Sequence, residues 1–372
     1  MKVRHLWMGL AVVVLILSAV FWLLTRSWPA APLTAKEKQM TDKLFEQTRP
    51  QCIGRYRFDV PASFNNVAMG QVKINEMRIV SKRLYPPAFA QRIRLREQEL
   101  NNSPAVDPKD LPYLKQVYRI NNNTVIFDHN INETVPGFGR VLEGHLYNNG
   151  VAFIVTTQIR DLSDPKYKKD KEDYLNSGTS ENALNNKTQK LAEMQSLLSR
   201  LQGRRDEEVP TLPGICIPEG FINDTGVMSN DVINIIYNSD DFGLIVNSDN
   251  TLRKSESLLK RSDEINAAII RLGAHTLKKG TVKLPEINAE EWLIKSKQDI
   301  YHPQEKTVTA YRFAFYGNED ISDSKHPVFS VELNNSGLET KKYTDSQLVD
   351  IWDRITRTFR YRTGSTPGNT RQ

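Results

Sequence analysis

Two cysteines in 372 residues are too few for a disulfide-built scaffold or a cysteine-held zinc site. Histidine is nearly as scarce. The six, His5, His129, His145, His275, His302 and His326, never lie within four residues of one another, so no H-E-x-x-H or similar ligand spacing occurs. The nucleophile elbow G-x-S-x-G and the phosphate loop G-x-x-x-x-G-K-[ST] are both missing. Gly137-Phe138-Gly139 opens a G-x-G-x-x-G pattern, but Leu142 stands in the third glycine place and the run enters a strand, not a helix. The paired acids Asp240-Asp241 and Glu290-Glu291 read as a turn and a solvated strand, since adjacent strand residues face opposite ways. The chain is therefore not read as an enzyme, and no cofactor or metal is expected. A net charge of +6, half of it from Lys2, Arg4 and Arg26, is too small and too N-terminal to suggest a nucleic-acid partner.

What the sequence does hold begins with an apolar run. Leu6 to Leu24 is 19 residues without a charge, and at 1.5 Å per residue it spans roughly 28 Å, close to a bilayer's hydrocarbon core. Lys2 and Arg4 precede it, and Trp7, Trp22 and Trp28 lie near its ends. The positive-inside tendency keeps the N-terminus in the cytoplasm and exports the rest. Residues 1–28 are thus read as an inner-membrane anchor spanning at 6–24; the alternative is a cleaved signal peptide, for which the run is long and Ser27 to Ala31 a poor cleavage site. An exported body puts Cys52 and Cys216 in an oxidising compartment. A bridge between them is expected, the alternative being two separate buried thiols.

At ~150 residues per domain the length suggests two domains. Residues 29–48 read as a linker and short helix. A first half, 49–206, starts with the alternating strand of Cys52 to Pro61. It continues through strands at Val72–Val80, Tyr118–Asp128, Arg140–Tyr147 and Val151–Arg160, with helices at Phe89–Leu100 and Lys187–Leu201. Asp161–Asn182 reads as a long polar loop. The second half, 207–362, repeats the order: a cysteine near its start, strands at Val232–Asn238 and Gly243–Ser248, a helix over Ser255–Leu272, four further strands and a closing helix from Ser346 to Tyr361. Residues 363–372 read as a disordered tail. The expected fold is α+β: two related domains, each an antiparallel sheet with helices packed on one face, after an N-terminal transmembrane helix.

The segment Cys52-Ile53-Gly54-Arg55-Tyr56-Arg57-Phe58-Asp59-Val60-Pro61 resembles the opening motif of immunity proteins for type VI secretion phospholipase effectors: a cysteine, an apolar residue, Gly-Arg, an aromatic residue, then a strand ending D-x-P. Cys216-Ile217-Pro218-Glu219-Gly220-Phe221 is similar to the start of that family's second domain. The resemblance implies a bacterial, periplasm-facing protein that binds a cognate lipase effector and blocks it; the expected means is occlusion of the active-site cleft by long polar loops. It implies structural roles for Cys52, Gly54, Arg55, Tyr56, Asp59 and Pro61, and it carries no catalytic residues. The alternative is a membrane-anchored envelope or solute-binding module. Loops on a rigid sheet commonly carry binding, so the candidate contacts are Tyr167, Lys168, Lys169 and Tyr174 in the first long loop and Asn318, Glu319 and Asp320 in Gly317–Pro327.

Overall fold

Why the two halves repeat becomes clear from their strand pairing in the computed structural model, which describes residues 30–67, 70–226, 229–301, 304–323, 326–340 and 342–364. The first half runs α1 (Ala35–Leu44), β1 (Thr48–Ile53), β2 (Tyr56–Pro61), β3 (Asn65–Asn66), β4 (Val72–Ile74), β5 (Met77–Arg83), α2 (Pro86–Asn102), β6 (Leu114–Asn121), β7 (Thr124–Asn130), β8 (Gly139–Asn148) and β9 (Val151–Arg160). It continues with α3 (Lys168–Asn176), α4 (Glu181–Leu184), α5 (Lys187–Arg200) and β10 (Leu201–Gly203). The second half runs β11 (Gly214–Ile217), β12 (Gly220–Asn223), β13 (Asp231–Asn238), β14 (Gly243–Asp249), α6 (Ser262–Arg271), β15 (His275–Leu284), β16 (Ile287–Ile300), β17 (Lys306–Gly317), β18 (Val328–Asn334), α7 (Asp345–Thr356) and β19 (Arg360–Tyr361).

Each half forms an antiparallel six-stranded sheet with the same winding. The first has the spatial order β4-β5-β9-β8-β7-β6 and the second β13-β14-β18-β17-β16-β15. Their first strands pair with each other, Ile74 opposite Asp231 and Val72 opposite Ile233, so the two sheets run on as one. The expected duplication is thus present in the topology, and the halves share a sheet.

They also exchange ends. The hairpin β1–β2 takes its third strand, β19, from the end of the second half, and the hairpin β11–β12 takes β10 from the end of the first. Arg204 and Arg362, which follow these exchanged strands, donate to the turn carbonyls around the hairpins: Arg204 to Gly220 and Ile217, Arg362 to Pro210, Leu212 and Gly214. Buried guanidinium groups of this kind are tolerated because main-chain oxygens satisfy their donors.

The helices do not keep to one face, contrary to the sequence expectation. Strand β7 is buried along its whole length, which requires cover on both sides. Helix α5 packs Met194 and Leu198 over Gly144, while α2, over the neighbouring position, sends Arg96 to Glu143. Successive strand residues face opposite ways, so α2 and α5 lie on opposite faces. In the second half Trp352 of α7 meets Glu291 and Phe313, and α6 clusters with Trp292 on the other side. Following the paired residues across the sheet puts α5 and α7 on one face with the main core, and α2 and α6 on the other.

Local chemistry accounts for the other departures. The strand expected over Val72–Val80 folds into a hairpin because Asn75 and Glu76 take positive φ, 47° and 68°. Tyr118–Asp128 is likewise two strands, turned between Asn121 and Thr124. Asp161–Asn182 is not an open loop; Asp164 caps a short 3-10 turn that runs into α3, and α4 starts at Glu181. Helix α7 matches its pattern closely: Leu348, Ile351, Trp352 and Ile355 are buried at helical spacing behind a Thr344–Gln347 capping box. Among the described residues no helix is long and apolar enough to cross a membrane. The expected anchor at residues 6–24 and tail residues 365–372 lie outside the described residues.

Candidate functional site

The family-like motif sits where the halves meet, and each of its residues has a structural task. Cys52 and Cys216 form the expected disulfide, 164 residues apart in sequence. Beside it Gly54 donates to the Cys216 carbonyl at 2.8 Å and accepts from the Cys216 amide at 2.9 Å. Gly54 has φ +53°, and a Cβ there would lie 2.6 Å from Ser248 Oγ. Gly54→Ala is therefore expected to cost about 1–3 kcal/mol in denaturant unfolding, with Ser248→Ala returning part of the loss; an unchanged midpoint would refute this. Arg55 lends its carbonyl to the Arg362 amide at 2.9 Å. Tyr56 is fully buried, its hydroxyl donating to Pro327 O at 2.6 Å and its ring 4.5 Å from that of Phe329; burial pushes its ionisation up. The Asp59 amide donates to Thr358 Oγ1 and Pro61 ends β2.

The candidate contact residues divide sharply. Tyr167 is 2% exposed and donates to Asp110 Oδ1 at 2.6 Å, with Phe138 edge-on to its ring. Asn318 is 0% exposed, takes φ +65°, and donates to Tyr56, Pro327 and Tyr361 oxygens. Glu319 accepts from the Leu258 amide and from Arg261; burial pushes its carboxyl up. In this fold these three are buried and present no contact surface, unlike the sequence expectation. Lys168 and Lys169 are exposed at the start of α3, Tyr174 is half-buried under Arg160, and Asp320 is half-buried. Both segments leave the same end of the sheet, after β9 and β17, about 29 Å apart at the usual strand spacing.

The feature that sequence reasoning missed is a bare face. On the side of α2 and α6, the helices cover only the outer strands. Between them the strands β5, β4, β13, β14 and β18 lie open, a floor about 19 Å wide, flanked by β9 under α2 and by β17, whose Tyr316 packs toward α6. Its residues alternate with fully buried ones on the other face: Val232, Asn234 and Ile236 on β13, and Ile245, Asn247 and Asp249 on β14, are half-exposed. Asn234, Asn247 and Ser330 form a hydrogen-bonded polar ladder across the centre. The alternation was legible in β13 and β14, but nothing in it told that no helix would lie above.

Comparison with known proteins bears on both halves. Residues 49–204 match the model of the Tle cognate immunity protein 4 N-terminal domain, and residues 208–364 match that of its C-terminal domain. No curated protein matches the chain. Among solved structures, the apo immunity protein TplEi of the type VI secretion system of Pseudomonas aeruginosa is similar over 86% of this chain and 98% of its own, with a TM-score of 0.66 and 17% identity. The Tle4–Tli4 complex gives 0.65 and 15% over the same shares. TplEi with an "L" peptide gives 0.61 and 16%, over 86% of this chain and 99% of that one. At such identities the structures speak for the fold. The two domain models, which together take in nearly the whole described chain, speak for descent: the chain belongs to the Tle cognate immunity protein 4 family, whose members are immunity proteins and not enzymes.

Proposed function

We propose that this chain binds its cognate type VI phospholipase effector in the periplasm and shields the effector's active-site cleft, with the uncovered sheet face as the principal contact. The bare five-strand floor carries this reading. A two-sided sheet that covers one face completely and leaves the other open has a surface that folding itself does not use. Its isoleucines and valine flank a central ladder whose polar side chains already bond one another, which leaves apolar surface for a partner to cover. One solved relative is a complex of Tle4 with Tli4, which supports a protein partner. The disulfide suits an oxidising compartment.

A tether through residues 6–24 fits this arrangement. Residues Ala30 to Thr34 lead into α1, which docks on α7 as Thr344 donates to Glu37 at 2.8 Å and Arg354 to Asp42 at 2.9 Å. Helix α7 lies on the covered face, so an anchor there leaves the open face turned away from it. Lys168, Lys169, Tyr174 and Asp320 would contribute at the rim.

The test is affinity for a catalytically inactive form of the cognate lipase. Ile236→Glu with Ile245→Glu, neighbours on the floor, should weaken binding at least a hundredfold while the thermal midpoint holds. Lys168→Glu with Lys169→Glu should change it less than threefold. Wild-type affinity in the isoleucine pair would move the contact elsewhere.

A further inference from the structure

The first-half side of the open face has a chemistry of its own. On β5, Arg78, Val80 and Lys82 point out of the core, in the reverse phase to the buried Met77 and Ile79. Lys73 of β4 lies opposite Arg78, and Ile154 of β9 lies opposite Val80. Above them α2 presents Arg92 and Leu95. Val80 is 46% and Leu95 56% exposed, unusual for large apolar groups on a sheet floor and a facing helix. Between helix and sheet lies a cavity of about 690 Å³, lined among others by Ala88, Arg92, Leu95, Glu143 and Ile154.

The unpaired charges here are of one sign. Among the described residues, Lys73, Arg78, Lys82 and Arg92 make no ion pair. The two acids lining the cavity are both engaged: Glu99 pairs with Arg96 at 2.9 Å, and Glu143 is saturated, accepting from Arg96 at 3.0 and 2.7 Å and from His145 at 2.7 Å and lying 3.3 Å from His129. Burial alone would raise its carboxyl, yet the hydrogen bonds from both histidines and Arg96 hold it well below the usual range. It has no capacity left to neutralise the four cations. An apolar centre with an open cavity, ringed by unpaired cations, is the complement of an acidic surface carrying an apolar knob.

We infer that this patch receives an acidic segment of the effector, one bulky apolar side chain of which enters the cavity between α2 and β9 while its carboxylates meet Lys73, Arg78, Lys82 and Arg92. This rests on the function proposed above and adds the chemistry of the partner. Cations at an interface rim act chiefly on the association rate and give it salt dependence, whereas an apolar anchor acts on dissociation.

Those two signatures make the experiment. Binding of the inactive lipase is followed at 50 and 300 mM NaCl. Arg78→Glu, Lys82→Glu and Arg92→Glu together should slow association at least tenfold at low salt and remove most of its salt dependence. Leu95→Asp should raise the dissociation rate at least tenfold with little change in association. Arg78, Lys82 and Leu95 are exposed and Arg92 half-buried, and an unchanged thermal midpoint verifies folding of both variants. Wild-type rates in both variants would overturn the inference while leaving the proposed function standing. Failure of the wild-type chain to bind the lipase would sink both. Loss of binding to phosphatidylglycerol vesicles in the charge-reversed variant, with lipase binding intact, would assign the patch to lipid and overturn the inference as well.

Discussion

Replacing Cys52 and Cys216 together by alanine is expected to lower the unfolding free energy by about 3–5 kcal/mol, one of the two largest effects anticipated for this fold. The bridge closes a span of 164 residues. For a loop of that length the chain-entropy account gives about 5 kcal/mol, commonly not reached in full. The shortfall here has a structural source. The halves are already interlocked by the exchange of β10 and β19, by the Gly54–Cys216 backbone pair and by the β4–β13 pairing. Part of the restraint therefore survives without the sulfur bond. Both sulfurs are buried with Phe221, so the alanines also leave a small void. Guanidinium unfolding of the oxidised, reduced and double-alanine proteins measures this. A loss below 1 kcal/mol would mean that the interlock alone restrains the chain. A second transition in the reduced protein would show the bridge to be what makes the halves unfold together.

Much of this architecture was legible because it is written in short-range patterns. The cysteines that open each half, the hairpin turn at Asn149-Gly150, and the amphipathic helices over 187–200 and 345–356 all announce themselves by spacing and composition. What escaped depends on partners far away in sequence. Helix α2 buries only Phe89 and Leu100 of its 17 residues. Its docking therefore rests in good part on Arg96 reaching Glu143, which no periodicity shows. Strands β10 and β19 have three and two residues, too few to carry a pattern. Asn318 and Tyr167 stand in polar stretches and read as exposed. Tyr56, 262 residues from Asn318, and Asp110, 57 residues from Tyr167, draw them inside. The open face has the opposite problem: its half-polar alternation is the same whether water, a helix or a partner lies above it.

The junction between the halves also holds a cost that a single substitution should release. Asp231 opens β13 opposite Ile74 and is 0% exposed. Asn250 satisfies one of its carboxylate oxygens, and the other has no hydrogen-bond partner. Burial pushes its carboxyl up to about 7; Arg55 pulls the other way, and Asp249 adds to the rise. The unfolded chain's aspartate titrates near ~3.9. Between those values the folded protein holds a proton that the unfolded chain has given up, so stability is full at acid pH and falls as pH rises to about 7. The difference of about 3 units corresponds to at most about 4 kcal/mol above neutrality. Asp231→Asn keeps the oxygen that accepts from Asn250 and cannot ionise. It should match the wild type near pH 4 and exceed it by about 2–4 kcal/mol at pH 8, read from urea midpoints across that range. A stability difference that does not change with pH would place the proton elsewhere. A variant less stable than the wild type at pH 8 would mean that Arg55 closes on the charged carboxylate and makes the ion pair a net support of the junction.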